Sequence, residues 1–151
     1  MKKIAIAASL AVIPLISAGA GGSAYAQNQE HGHGHHDSAA EIDGLSLNHG
    51  ERWEMDEHTR TMLIKMEETF LASDHSSQAG LNAAGSELKA QMYQLIAGCT
   101  MYGEAHGQLH VFLSGYRPAV DRLAQAGDYA VARQAAIELK GHFETYKQYF
   151  R

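Results

Sequence analysis

Apolar residues recur every three or four positions along most of the chain beyond residue 53, which is the spacing of amphipathic helices. The first predicted helix starts at Asp56, a residue type that caps helix N-termini, and ends near Ser73. The polar segment after it, "SDHSSQAG", predicts a loop. The apolar face of this helix comprises Met55, Met62, Met66 and Phe70.

Two further helices follow the same pattern. The second is predicted from about Leu81 to Met101, and Gly103 marks the turn after it. The third is disturbed near Pro118 and continues to Gln125. The stripe of the second helix comprises Leu81, Leu88, Met92, Leu95 and Cys99, and the third carries His106, Leu109, His110 and Leu113.

A fourth helix is predicted to start after Asp128, which follows a glycine and has a good capping side chain. Its inward positions are Val131, Ala135, Leu139, His142, Tyr146 and Tyr149. Strand patterning is almost absent, and the links between helices are short. Residues 45–151 are therefore predicted to form an all-α, antiparallel up-down-up-down four-helix bundle.

The N-terminus has the pattern of a secretory signal peptide. Lys2 and Lys3 precede an apolar run, and Ala24-Tyr25-Ala26 is a typical cleavage site, so residues 1–26 are predicted to be removed on export to the periplasm. The mature chain then keeps all 17 acidic residues but loses Lys2 and Lys3, two of the 12 basic residues, so it is more acidic than the full chain. Without a basic cluster or another long apolar run, neither nucleic acid nor a membrane is an expected partner of the mature form.

Residues 27–44 are polar and low in complexity, so this tail is predicted to be disordered. Closely spaced histidines bind Cu(II), Ni(II) or Zn(II) loosely and with poor selectivity, although a solvated linker has the same composition. The histidines of this loose tail site are His31, His33, His35 and His36.

The segment "AGCTMYGEAHGQLH", residues 97–110, combines a thiol, a thioether and two imidazoles, which are the donors that soft metals prefer. A reversal of the chain at residues 100–103 would place the end of one helix beside the start of the next. Histidines four residues apart are neighbours on a helix. Cys99, Met101, His106 and His110 are therefore predicted to bind one copper ion, as Cu(I) or Cu(II).

Folding the predicted bundle brings further donors toward the same end. Met55, Met62 and His142 are possible supplements to the copper site, and Trp53 is placed near it. Each residue also has a plain structural interpretation, because free cysteines and helical methionines are most often part of a core. The combination of donors within twelve residues is the stronger signal.

The order of motifs "LSLNHGERWEMD", "GCTMYGEAHGQLHVFL" and "FETYKQYF" resembles a group of small exported bacterial four-helix proteins. The resemblance covers residues 45–151 and implies export and a helical domain, with no particular reaction. More loosely, the architecture is similar to the cytochrome b562 class. That similarity implies Met62 and His142 as haem ligands.

The expected function is that of a periplasmic metal-binding protein, most simply for copper buffering, delivery or resistance, with another periplasmic metal-handling protein as a partner. The alternatives are a bundle that binds haem b for electron transfer and an interaction module without a cofactor. Covalent haem of the usual kind is excluded because the chain has no C-x-x-C-H motif. An enzyme that uses Cys99 with His106 is disfavoured, because no third residue to orient the pair is evident.

Overall fold

The computed structural model describes residues 39–151, so the predicted signal peptide and the histidines of the tail lie outside the described part. Within it the chain forms four helices, and its only extended pairings are two isolated bridges, one of which joins Trp53 to Phe150. None of these four helices is both long and apolar enough to span a membrane. The helices are α1 (Glu57–Ala72), α2 (Gln78–Gly98), α3 (Gly103–Gln125) and α4 (Tyr129–Tyr149).

Side-chain caps define where three of the helices begin. Asp56 accepts a hydrogen bond from the backbone N–H of Thr59, and Asp128 does the same for Val131, as the sequence predicts. Ser77 caps α2 and moves its start three residues ahead of the predicted Leu81. A cap of this kind satisfies one of the N–H groups that the first helical turn leaves without a partner.

Consecutive helices run antiparallel, as predicted for a four-helix bundle. Residues near the start of one helix contact residues near the end of the next: Gln78 of α2 donates to the carbonyl oxygen of Ala126 just after α3, and His58 of α1 lies 3.1 Å from the carbonyl oxygen of Gln94 in α2. Helix α1 also meets α4, where Lys147 lies 2.6 Å from Glu67. The core between the helices includes the fully buried Leu63, Met66, Leu88, Leu95, Phe112, Tyr116, Leu139 and Phe143.

The structure corrects three details of the predicted helices. Helix α2 ends at Gly98, so Met101 lies in the turn rather than in the helix. Helix α3 passes through Pro118 without interruption, because Ala119, Val120 and Leu123 beyond it are completely buried and packing holds the second half in place. Val131 is 47% exposed, whereas the next residue, Ala132, is completely buried, so the buried face of α4 begins one position after the predicted one.

The lead-in to the bundle, residues 39–55, is ordered against its side, so its first six residues, 39–44, do not belong to the disordered tail predicted for residues 27–44. The backbone N–H of Ala40 donates to the carbonyl oxygen of Gly141 at 3.0 Å, and Ile42 packs on the core. Trp53 is buried, and its indole N–H donates to the carbonyl oxygen of Ser46 at 2.6 Å. The lead-in therefore covers one side of α3 and α4 and leaves the α2–α3 turn accessible.

Candidate functional site

The α2–α3 turn forms where the sequence predicts it. Helix α2 stops at Gly98, four residues change the direction of the chain, and α3 begins at Gly103. Gly103 has a φ of 65°, in the left-handed region that glycine adopts without steric cost. The reversal places Cys99 beside the first turns of α3, as expected.

Three of the four predicted copper donors are in contact around this turn. The Sγ atom of Cys99 lies 3.7 Å from Nδ1 of His106, and Nε2 of His106 lies 2.9 Å from Nε2 of His110. The two imidazole rings meet edge to face, with their centroids 4.5 Å apart. His106 is thus the central member, and it uses a different ring nitrogen for each neighbour.

This arrangement is a row of donors and not a convergent cage. Within residues 39–151, no three histidine, cysteine, aspartate or glutamate side chains are grouped so that they could hold a metal ion together. A row also permits a second chemistry: the thiol can donate to Nδ1 of His106, while the N–H at Nε2 donates to His110. Such a chain of hydrogen bonds fixes the tautomer and the orientation of the central ring.

The cluster is open to solvent on one side. Cys99 and His106 are half-buried, and His110 is exposed. Met101 is also half-buried and packs against the core at the same turn. These side chains can therefore meet a small ion from solution without unfolding of the bundle.

The predicted supplements to the site are buried in the core. Met55 and Met62 are almost inaccessible, with 6% and 7% exposure. His142 is 3% exposed, and its ring centroid lies 6.3 Å from that of Phe112 and 6.0 Å from that of Tyr116. None of the three has a described contact with Cys99, His106 or His110.

Burial determines the protonation of His142. Removal from water lowers the pKa of this histidine, and Glu138, with an oxygen 3.9 Å from Nε2, offsets the effect only in part. Its Nδ1 atom is buried without a hydrogen-bond partner among the described residues. His142 is thus a neutral core residue between α3 and α4.

Asp56 supports the cluster, a role that sequence reasoning missed. One carboxylate oxygen caps α1, and the other accepts hydrogen bonds from the backbone N–H and the hydroxyl group of Thr100 at 2.5 and 2.9 Å. Partial burial alone would raise the pKa of Asp56, but the hydrogen bonds from Thr59 and Thr100 outweigh it and hold the pKa far below its usual range. The carboxylate therefore fastens the turn that carries Cys99 to the start of α1.

A second support comes from His58. Its Nε2 atom is 3.1 Å from the carbonyl oxygen of Gln94, and its ring lies directly on Gly98. A side chain at position 98 would clash with this ring and would push the imidazole away from the end of α2. Two residues at the start of α1, Asp56 and His58, thus hold the end of α2 and the turn that follows it.

Comparison with protein families, with curated proteins and with solved structures finds no match to this chain. Its function therefore has to be argued from the chemistry of the site.

Proposed function

We propose that this chain is an exported copper-binding protein whose site is the α2–α3 turn, with Cys99 and His106 as the principal ligands. The observation that carries the proposal is the approach of Sγ of Cys99 to Nδ1 of His106, at 3.7 Å. With bond lengths of about 2.3 Å to sulfur and about 2.0–2.1 Å to nitrogen, as in zinc sites, donors at this distance enclose an angle of about 115° at a shared ion. That angle suits a trigonal or tetrahedral ion.

His110 has a defined role in this scheme. A histidine that binds a metal through one ring nitrogen usually donates its other N–H to a nearby acceptor, which fixes the tautomer and the ring orientation. Nε2 of His110 is placed for that role, 2.9 Å from Nε2 of His106. The same separation also lets the two Nε2 atoms bind one ion at about a right angle, so His110 can supply a ligand in a second binding mode.

The donor types favour copper. A thiolate, an imidazole and the thioether of Met101 at the same turn are soft ligands, which select Cu(I) over calcium or magnesium. The predicted signal peptide supports export, and the tail histidines would add a loose site for Cu(II). Buffering, delivery to another periplasmic metal-handling protein, or resistance are the uses that this chemistry fits.

Copper is favoured over haem b by the packing around the haem ligands that the b562 resemblance implies. His142 is enclosed by Phe112 and Tyr116. A haem plane beside His142 would have to displace those rings, and Tyr116 is fully buried. The Cys99 cluster, in contrast, is accessible as it stands.

The test is competition with a Cu(I) chelator under reducing conditions, on exported protein in which the four tail histidines are replaced by asparagine. Cys99→Ser and His106→Ala should each weaken Cu(I) binding by at least tenfold, which is about 1.4 kcal/mol. His49→Asn is the matched control, because His49 has a φ of 51° that asparagine tolerates, and it is not a member of the cluster. Its affinity should equal that of the parent.

Two outcomes would contradict the proposal. The tail-substituted parent could hold no Cu(I) more tightly than micromolar, or both cluster variants could bind as the parent does. In either case Cys99 is a packing residue of the turn, and the interaction module without a cofactor becomes the better description.

A further inference from the structure

A second site is suggested at the opposite end of the bundle, where a surface cleft of about 490 Å³ opens between α1, the start of α2 and α4. Its apolar base is formed by Phe70, Leu81 and Ala136, which are all buried. Leu71 and Ile137 form its apolar walls. A cleft of this volume is in the range of small-molecule sites.

The walls of the cleft are unusually exposed. Leu71 is 65% and Ile137 57% accessible, and no other aliphatic side chain among the exposed large hydrophobic residues of the described part reaches these values. Each exposed carbon costs free energy in water, at about 25 cal/mol per Å². Two such side chains facing one cleft give an apolar ligand a favourable surface to cover.

Basic side chains line the cleft, although the chain as a whole carries a net charge of −5. Arg133 and Lys140 line it, and none of its lining residues is acidic. Arg133 makes no ion pair with any residue of the described part, whereas Arg117, Arg122 and Arg151 each pair with a carboxylate. An arginine of this kind, beside an apolar base, complements a ligand with a carboxylate head and an aliphatic body.

We propose that this cleft binds a free aliphatic carboxylate of medium chain length. The guanidinium group of Arg133 would receive the carboxylate, and the chain would lie on Phe70 and Ala136 between the two exposed walls. Positions 133 and 140 are two helical turns apart, about 10 Å along the α4 axis, which sets the length of the groove. A longer acyl chain would project into water.

The cleft is independent of the proposed copper site. Leu81 at the cleft and Cys99 at the turn lie near opposite ends of α2, about 27 Å apart along the helix. The cleft residues include none of the copper donors. Loss of one activity therefore leaves the other intact, and each proposal can fail alone.

The test is calorimetric titration of the full chain with decanoate below its micellar concentration, with decanol as the uncharged analogue. One decanoate per chain should bind, and decanol should bind more weakly. Arg133→Glu should weaken decanoate binding by at least tenfold. Lys65→Glu is the matched control, because Lys65 is exposed, lies away from the cleft and changes the net charge equally. It should bind within twofold of the parent.

A second variant tests the apolar wall. Ile137→Asp places a charge on an exposed position, so it should leave the helical circular dichroism unchanged and weaken decanoate binding. The proposal is overturned if decanoate does not bind below millimolar concentration, or if Lys65→Glu loses as much affinity as Arg133→Glu. It is also overturned if the chain binds only anionic vesicles, or if sedimentation shows a dimer of the parent that Ile137→Asp converts to a monomer.

Discussion

Asp56 accepts two hydrogen bonds from Thr100, one from its backbone N–H and one from its hydroxyl group, while the other carboxylate oxygen caps α1. A single side chain thus ties the start of the first helix to the turn 44 residues later that carries the cysteine. The position of Cys99 depends on this link, because the turn has no other described side-chain bond to α1. Asp56 is therefore a positioning residue for the proposed site.

Asp56→Asn separates the two roles of this carboxylate. Asparagine caps helices as well as aspartate does, but its amide nitrogen cannot accept from Thr100. We expect Asp56→Asn to weaken Cu(I) binding severalfold while α1 keeps its cap. Asp56→Ala should lose both the cap of α1 and the hydrogen bonds from Thr100. Loss of the cap alone should lower the free energy of unfolding by about 0.5–2 kcal/mol. Chelator competition and chemical denaturation measure the two effects, and equal affinity in Asp56→Asn and the parent would show that the turn holds itself.

The role of His110 can be tested by comparing a variant that keeps a hydrogen-bond acceptor at this position with one that removes it. His110→Gln keeps an acceptor oxygen that can reach Nε2 of His106, whereas His110→Ala removes it. If His110 orients His106, alanine should reduce the affinity for Cu(I) by about ten- to a hundredfold and glutamine should restore most of it. Equal losses in the two variants would instead indicate that His110 is a direct ligand.

His142 should make the fold sensitive to mild acid. Its pKa is lowered in the folded state, so between that value and the ordinary value of about 6.5 the unfolded chain binds the extra proton. The neutral His142 therefore contributes fully to the free energy of unfolding above about pH 6.5, and this contribution is lost as the pH falls from 6.5 toward the lowered pKa. His142→Phe removes the titration and the unpaired Nδ1 atom from the core.

Thermal melting at pH 8 and pH 5 measures this effect. Between pH 8 and pH 5, the melting temperature of the parent should fall by more than that of His142→Phe. At pH 5 the melting temperature of His142→Phe should equal or exceed that of the parent. If both proteins lose the same amount, other histidines cause the acid sensitivity and His142 contributes nothing to it.

At Gly85 the backbone of α2 lies close to that of α3. A Cβ atom there would lie 2.8 Å from Cα of Ala124 and closer still to its nitrogen, so the two backbones would have to separate. Overpacking of this kind costs about 1–3 kcal/mol, which exceeds the gain of about 1 kcal/mol in helix propensity. Gly85→Ala should therefore lower the free energy of unfolding, measured by urea denaturation.

Gly107 is the matched control for that substitution. It lies in α3 with open space around the position of a Cβ atom, and its φ is not positive. Gly107→Ala should raise the free energy of unfolding by up to about 1 kcal/mol. Stabilisation by both alanines would mean that α2 and α3 can move apart at no cost.

The helices could be predicted from the sequence because their signals are local. The caps at Asp56 and Asp128 and the glycine at 103 act within a few residues, and each is confirmed. Helix α2 ends three residues before the predicted Met101, because Cys99 and Met101 are apolar like the stripe before them although they lie in the turn. The local preference of Pro118 predicts a disturbance of α3, but the burial of its neighbours overrides that preference.

The candidate site could be predicted only in part. The contact of Cys99 with His106 follows from the position of the turn, and that of His106 with His110 from the helical spacing of four residues. The ring nitrogen that faces each neighbour depends on side-chain rotamers, which spacing does not encode. The second link of Asp56 joins residues far apart in sequence, so no local pattern reveals it.

The isolated bridge between Trp53 and Phe150 has a practical consequence. Trp53 is the only tryptophan of the chain. It is a buried residue of the lead-in, and its indole N–H donates to the carbonyl oxygen of Ser46. Its fluorescence therefore reports on the contact between the lead-in and the end of α4, while circular dichroism at the helical wavelength reports on all four helices. Comparison of the two signals along one denaturation curve will show whether the lead-in detaches first or melts together with the helices.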